Sequence, residues 1–98
     1  MFNWSHLNRV PHSQNTMTES ETERKRIAIR QLLVNGIRDV VKQHGMTHGQ
    51  ASFESRMGRT VITAILNGKL EKISTDRLLR IAIRLGLRIE LKISPKTN

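Results

Sequence analysis

The sequence predicts a mainly α fold: a bundle of about four helices followed by one C-terminal strand. Three observations carry this prediction. Apolar residues recur at helical spacing in successive stretches between Ile29 and Leu85. Capping and stop residues bound each stretch. After Gly86 the apolar spacing changes to strict alternation.

The first helix is expected to open near Thr18 to Ser20. Ser20 and Glu23 have capping-box spacing, and acids at a helix start suit its dipole. Ile29, Leu33, Ile37, Val40 and Val41 form its apolar face, and Gly45 is a left-handed stop. The expected length is roughly 22 residues. Thr47 and Gln50 make a second capping box, so a short helix begins at His48 and is interrupted at Met57–Gly58. Another runs from Arg59 to Asn67, with Ile62, Ile65 and Leu66 on its apolar side and Asn67–Gly68 as its stop. Ser74 caps the next helix, where Ile73 and Leu78 stand as a hydrophobic staple and Leu78, Ile81, Ala82 and Leu85 form the buried stripe. Leu87, Ile89, Leu91 and Ile93 then alternate with Arg88, Glu90 and Lys92, which reads as a half-buried strand closed by Ser94–Pro95. A lone strand leaves its backbone unpaired. Its simplest partner is the same strand of a second copy, antiparallel about a two-fold axis. The rival partner is the N-terminal arm.

That arm, residues 1–17, is polar apart from Phe2, Trp4 and a few aliphatics, and lacks a helical period. It reads as a tail set apart from a domain spanning 18–98, either disordered or docked in extended form through Phe2, Trp4, His6 and Leu7. Met17 is an alternative start that would leave it out.

The chain of 98 residues holds 17 Lys and Arg against 8 Asp and Glu, a net charge of +9. From Thr47 onward ten basic residues stand against four acidic ones. A positive surface of this kind fits a polyphosphate partner. Solubility alone is the plain alternative. The basic helices lack the Trp and Phe that would anchor them in a membrane interface. There is no cysteine, which excludes disulfides, Cys-based zinc sites and thiol chemistry. His44 and His48 are four apart, but Gly45 breaks the helix between them and no third ligand is nearby, so no metal is expected. Nor is there a Gly-rich phosphate loop or a Ser/His/Asp set in a plausible order. The expectation is a non-enzymatic, cytoplasmic protein without a cofactor and without membrane attachment.

Two short helices joined by a tight turn and followed by a capped third are the parts of a helix-turn-helix. The residues from Met46–Thr47, through Arg59-Thr60-Val61-Ile62-Thr63-Ala64-Ile65-Leu66-Asn67-Gly68-Lys69, to Ser74-Thr75-Asp76-Arg77-Leu78-Leu79-Arg80 and Leu85-Gly86-Leu87 resemble the Cro/phage-repressor (Xre-type) regulators. The likeness is closest to their small stand-alone antitoxin-type members. It implies a lambda-repressor-like helix-turn-helix bundle that binds double-stranded DNA as a homodimer. In the register without gaps, His48 stands where the family has Gln, Ser55 where it has an apolar residue, and Arg56 where it has the turn glycine. A second register puts Gln50 and Gly58 in the Gln and turn positions. The first places Ile62 and Ile65 toward the core.

In that register Arg59, Thr60 and Thr63 form the exposed edge of the recognition helix and are the expected base contacts. Arginine forks onto guanine O6 and N7, a contact worth about 1–3 kcal/mol of discrimination. The resemblance implies phosphate contacts from Thr47, His48, Asn67, Lys69 and Lys72. Asn67 also has a plain role as a helix stop, and Arg77, Arg80 and Arg84 read as a solvated face, with Asp76 a local partner for Arg80. Leu87, Ile89, Leu91 and Ile93 are the expected dimer interface. The functional expectation is a repressor of transcription, autoregulating its own operon from an inverted repeat. The alternative is an antitoxin that neutralises a toxin protein, touching it through Phe2 and Trp4 or through the long first helix.

Overall fold

A computed structural model of the chain describes residues 12–95, with side chains from residue 19 onward. Helices α1 (His12–Gln43), α2 (His48–Ser55), α3 (Arg59–Leu66) and α4 (Thr75–Arg84) follow in order. Pairwise packing is mainly α1 on α4 and α2 on α3, with α2 also meeting α4 and α1 meeting α3. The expected mainly α bundle is present.

The boundaries follow the local chemistry wherever a cap or a glycine sets them. Thr47 Oγ1 accepts from the Gln50 amide at 3.1 Å, and Gln50 Oε1 accepts from the Thr47 amide at 2.8 Å, closing the capping box of α2. Ser74 Oγ accepts from the Arg77 amide at 3.1 Å and caps α4. Gly45, Gly68 and Gly86, at φ 57°, 75° and 90°, stop α1, α3 and α4 in the left-handed region.

The first helix departs from expectation. It has 32 residues and begins at His12, inside the segment assigned to the tail. Ser20 and Glu23 therefore lie within a helix and cap nothing; Glu23 instead meets Arg26 at 3.5 Å, one turn on. No Gly or Pro occurs between His12 and Asn35, and the first breaker upstream in the sequence is Pro11. The helix thus runs past the capping pair up to the first breaker, although His12, Ser13, Asn15, Thr16 and Thr18 are not strong helix formers. The expectations for Phe2, Trp4, His6 and Leu7 lie outside the described residues.

The core comprises Val34, Ile37, Val40 and Val41 from α1, Ala51 from α2, Ile62 and Ile65 from α3, and Leu78, Ile81 and Ala82 from α4, with Ile73 and Leu85 at its edges. Burying each large aliphatic side chain fully is worth about 1.5–3 kcal/mol. Ile29 is not among them. It is 46% exposed, and Val34, 1% exposed, takes the inward place instead. Ile27 lies beyond the stretch that the other helices cover, and Leu32, between the half-buried Arg30 and the buried Val34, faces away from them, so both are exposed as well.

The C-terminal segment also departs from expectation. Among the described residues there is no β-strand, and 87–95 has no ladder partner there. Leu87 and Ile89 are half-buried against the core, whereas Leu91 and Ile93 are each 75% exposed. A strand exists only through its neighbour. The alternating pattern reports a two-faced extended segment, and nothing within the described residues pairs with it.

Candidate nucleic-acid interface

The interface is built by α2, the turn 56–58 and α3. Ile62 and Ile65 are completely buried and hold α3 down by one face. A helix anchored in this way turns its opposite edge outward. Arg59 and Thr60 are exposed on that edge and Thr63 is half-buried.

The turn that sets the angle between α2 and α3 is left-handed at Arg56, with φ 58°. A non-glycine residue in this region costs about 1–2 kcal/mol. Gly58, by contrast, is extended at φ −61° and serves as the N-cap of α3. The turn therefore falls where the register without gaps puts it, on an arginine and not on a glycine. Several polar bonds support it. The Ser52 hydroxyl donates to the Met57 carbonyl, and the Arg84 guanidinium donates to the Ser55 carbonyl at 3.0 Å. Ser55 is fully buried with its hydroxyl 3.4 Å from the Ser52 carbonyl, so a small polar residue fits where an aliphatic one was expected.

Two of the expected contact residues of α3, Arg59 and Thr63, meet the first turn of α2. His48 Nδ1 lies 3.0 Å from Thr63 Oγ1. The Arg59 guanidinium lies over Gly49 so closely that a Cβ there would collide with its Nη2. Residues of α2 and α3 thus share one surface: His48 holds the Thr63 hydroxyl, and Gly49 leaves room for Arg59. Thr47 is the N-cap of α2, exposed, with its amide and hydroxyl in the capping box. Asn67 is the C-cap of α3 and is exposed, as are Lys69 and Lys72 on the loop that follows.

That loop is tied to α1 by a residue that sequence reasoning missed. Arg30 donates from Nη1 to Thr75 Oγ1 at 2.9 Å, and from Nη2 to the carbonyls of Leu70 at 2.9 Å and Ile73 at 2.6 Å. Arg84 is exposed, as expected of a solvated face, but its bond to the Ser55 carbonyl is not legible in the sequence. The sequence signals only that the carbonyls at the C-terminus of α2 need donors from somewhere. Asp76 meets Arg80 at 3.0 Å, the local pairing expected of them, at a largely exposed position worth a few tenths of a kcal/mol. Among the described residues no group of three or more His, Asp or Glu side chains could hold a metal ion. No described helix is long and apolar enough to cross a membrane.

Two short helices set at an angle by a tight turn, the second held by aliphatics beneath and polar at its outer edge, define a helix-turn-helix protein, a DNA-binding class. A family described as "Helix-turn-helix domain" matches residues 16–94, and the chain belongs to it. A search of curated proteins and a search of solved structures returned no match.

Proposed function

We propose that this protein is a sequence-specific, double-stranded-DNA-binding regulator of transcription of the Xre type: a repressor that acts as a homodimer on an inverted repeat and controls its own operon. The reading is of a protein that binds and does not catalyse, working in the cytoplasm where its DNA lies. The observation that carries it is the outward edge of α3, Arg59 and Thr60, standing over the fully buried Ile62 and Ile65.

In this reading α3 enters the major groove. Arg59 forks onto a guanine from its place over Gly49, while Thr60 and Thr63 bond a base edge or touch a thymine methyl. Thr47, His48, Asn67, Lys69 and Lys72 contact phosphates and fix the register without reading sequence. Two protomers join through Leu87, Ile89, Leu91 and Ile93, whose outer half is open to solvent. Their recognition helices then stand about 34 Å apart, in successive major grooves. The test is selection of bound fragments from genomic DNA followed by binding measurements at several salt concentrations. Enrichment of an inverted repeat and loss of that enrichment in Arg59→Ala are expected. Equal affinity for selected and random duplex would reduce the role to non-specific nucleic-acid binding.

A second reading is an antitoxin that neutralises a toxin protein and represses the operon with it. Ile27 and Leu32, 57% and 71% exposed on different sides of α1, are the apolar side chains that a partner on the long helix would cover. A stable complex on co-expression with the product of the adjacent gene is expected from this reading. Independent purification of the two would end it.

A further inference from the structure

We infer that Arg30 is a positioning residue for DNA-backbone binding, presenting Lys72 and its neighbour Lys69 to phosphate. This rests on the DNA-binding reading above. Glu71 and Lys72, both exposed, are the central residues of a tight turn closed by the Ile73 amide donating to the Leu70 carbonyl at 3.0 Å. The fork of Arg30 reaches the carbonyls at both ends of that turn and the hydroxyl of Thr75, the first residue of α4. The Leu70 and Ile73 side chains meanwhile face the core. The turn is thus held by its side chains from inside and by one guanidinium at its carbonyls. Lys72 is left exposed, with its backbone fixed relative to α3.

The physical gain is preorganisation. An exposed loop between helices is normally the most mobile part of a small domain. Ordering a backbone residue costs about 1–2 kcal/mol, and a loop already ordered in the free protein does not meet that cost on binding DNA. The planar guanidinium is what the arrangement needs. It offers several donors in a rigid fork, whereas an ammonium is a single charged point that does not reproduce bonds from two separate nitrogens. Arg30 is half-buried and directs three hydrogen bonds from its two terminal nitrogens to the protein, so its part in DNA binding passes through the loop.

The test measures the affinity of the full chain for a labelled duplex of mixed sequence across a salt series. The chains compared are wild type, Arg30→Met, Arg30→Lys, Lys72→Ala and the double variant Arg30→Met/Lys72→Ala. Losing one phosphate contact lowers the slope of log affinity against log salt by about one. Arg30→Met is expected to lower it at least that much. The double variant should bind no more weakly than Arg30→Met alone, because Lys72 is already out of place. Arg30→Lys keeps the charge and loses the fork, so it should behave like Arg30→Met. Additive losses in the double variant, a wild-type slope in Arg30→Met, or full activity in Arg30→Lys would each overturn the inference. Circular dichroism checks folding. If Arg30→Met does not fold, Thr75→Val, which removes one of the three acceptors, takes its place in the same cycle with Lys72→Ala. No salt-dependent binding by wild type would sink the DNA-binding reading itself, and this inference with it. A normal wild-type curve with additive variants would sink only the role of Arg30.

Discussion

His48 on α2 and Thr63 on α3 are joined by a hydrogen bond of 3.0 Å between Nδ1 and Oγ1, across the gap that separates the two helices of the motif. The bond makes the interface a property of both helices. It sets where the Thr63 hydroxyl points, and it leaves the other ring nitrogen of His48 as the remaining polar atom of that side chain.

The bond is exposed, so its removal should cost less than about 1 kcal/mol of stability. Its effect on DNA binding should be larger in kind. His48→Ala and Thr63→Val are each expected to weaken binding, and the double variant to weaken it by less than the sum. A coupling of at least about 0.5 kcal/mol in a double-mutant cycle is the expected result. Strict additivity in titrations against a selected duplex would show that the two residues act separately.

The Arg56 turn carries a stability prediction. Glycine has no Cβ to strain at φ 58°, so Arg56→Gly should stabilise the fold by up to about 1 kcal/mol after its greater unfolded-state freedom is counted. For a domain of this size that raises the melting temperature by about 4–8 °C per kcal/mol. Arg84→Met acts in the opposite sense. It withdraws a charged donor from the Ser55 carbonyl, at a cost of about 1 kcal/mol given the exposure of Arg84. Thermal melts followed by circular dichroism check both. A lower melting temperature for Arg56→Gly would mean that the arginine side chain contributes more at the turn than its backbone strain costs.

These residues also show how far the sequence was legible. Thr47 with Gln50, Ser74, Gly45, Gly68 and Gly86 were readable because caps and stops are settled by chemistry within a few residues. Ile62 and Ile65 were readable because the period of α3 leaves one possible inner face. Arg30 and Arg84 were not, since their acceptors lie 40–45 and 29 residues away in the chain and no local rule brings them together. Ile29 was placed in the core because the apolar period of α1 continues past the point where the other helices stop covering it. The C-terminal alternation is legible as a pattern, but a strand needs a pairing neighbour, and none is present among residues 12–95.

Gly49 offers a way to separate stability from readout. It lies in the first turn of α2, where alanine has the higher helix propensity, by about 0.8–1 kcal/mol in a helix interior. The added Cβ would meet only the far end of the Arg59 side chain, which is free to swing away. Gly49→Ala is therefore expected to raise the melting temperature slightly while displacing the guanidinium. Repeating the fragment selection with this variant should change the base preference at the position that Arg59→Ala identifies and leave the others alone. An unchanged preference would mean that the resting place of Arg59 on Gly49 has no bearing on what it reads.

The C-terminal segment gives the sharpest test of assembly. Leu91 and Ile93 each leave three-quarters of their surface to solvent, although Leu87 two turns of the alternation earlier presses on Gly36, where a Cβ would stand 3.1 Å from Leu87 Cδ1. If two copies pair antiparallel through this segment, a carboxylate at Leu91 would be carried into an apolar contact without a partner, at a cost of a few kcal/mol. Leu91→Glu should then shift the sedimentation of the protein from dimer to monomer without changing its helix content, because the side chain touches no part of the core. DNA binding should fall much further for the complete inverted repeat than for a half-site, since only the dimer engages both grooves at once. Dimers that persist in Leu91→Glu, with the preference for the complete repeat intact, would move the two-fold contact to another face. The exposed Ile27 and Leu32 of α1 would be the next place to look.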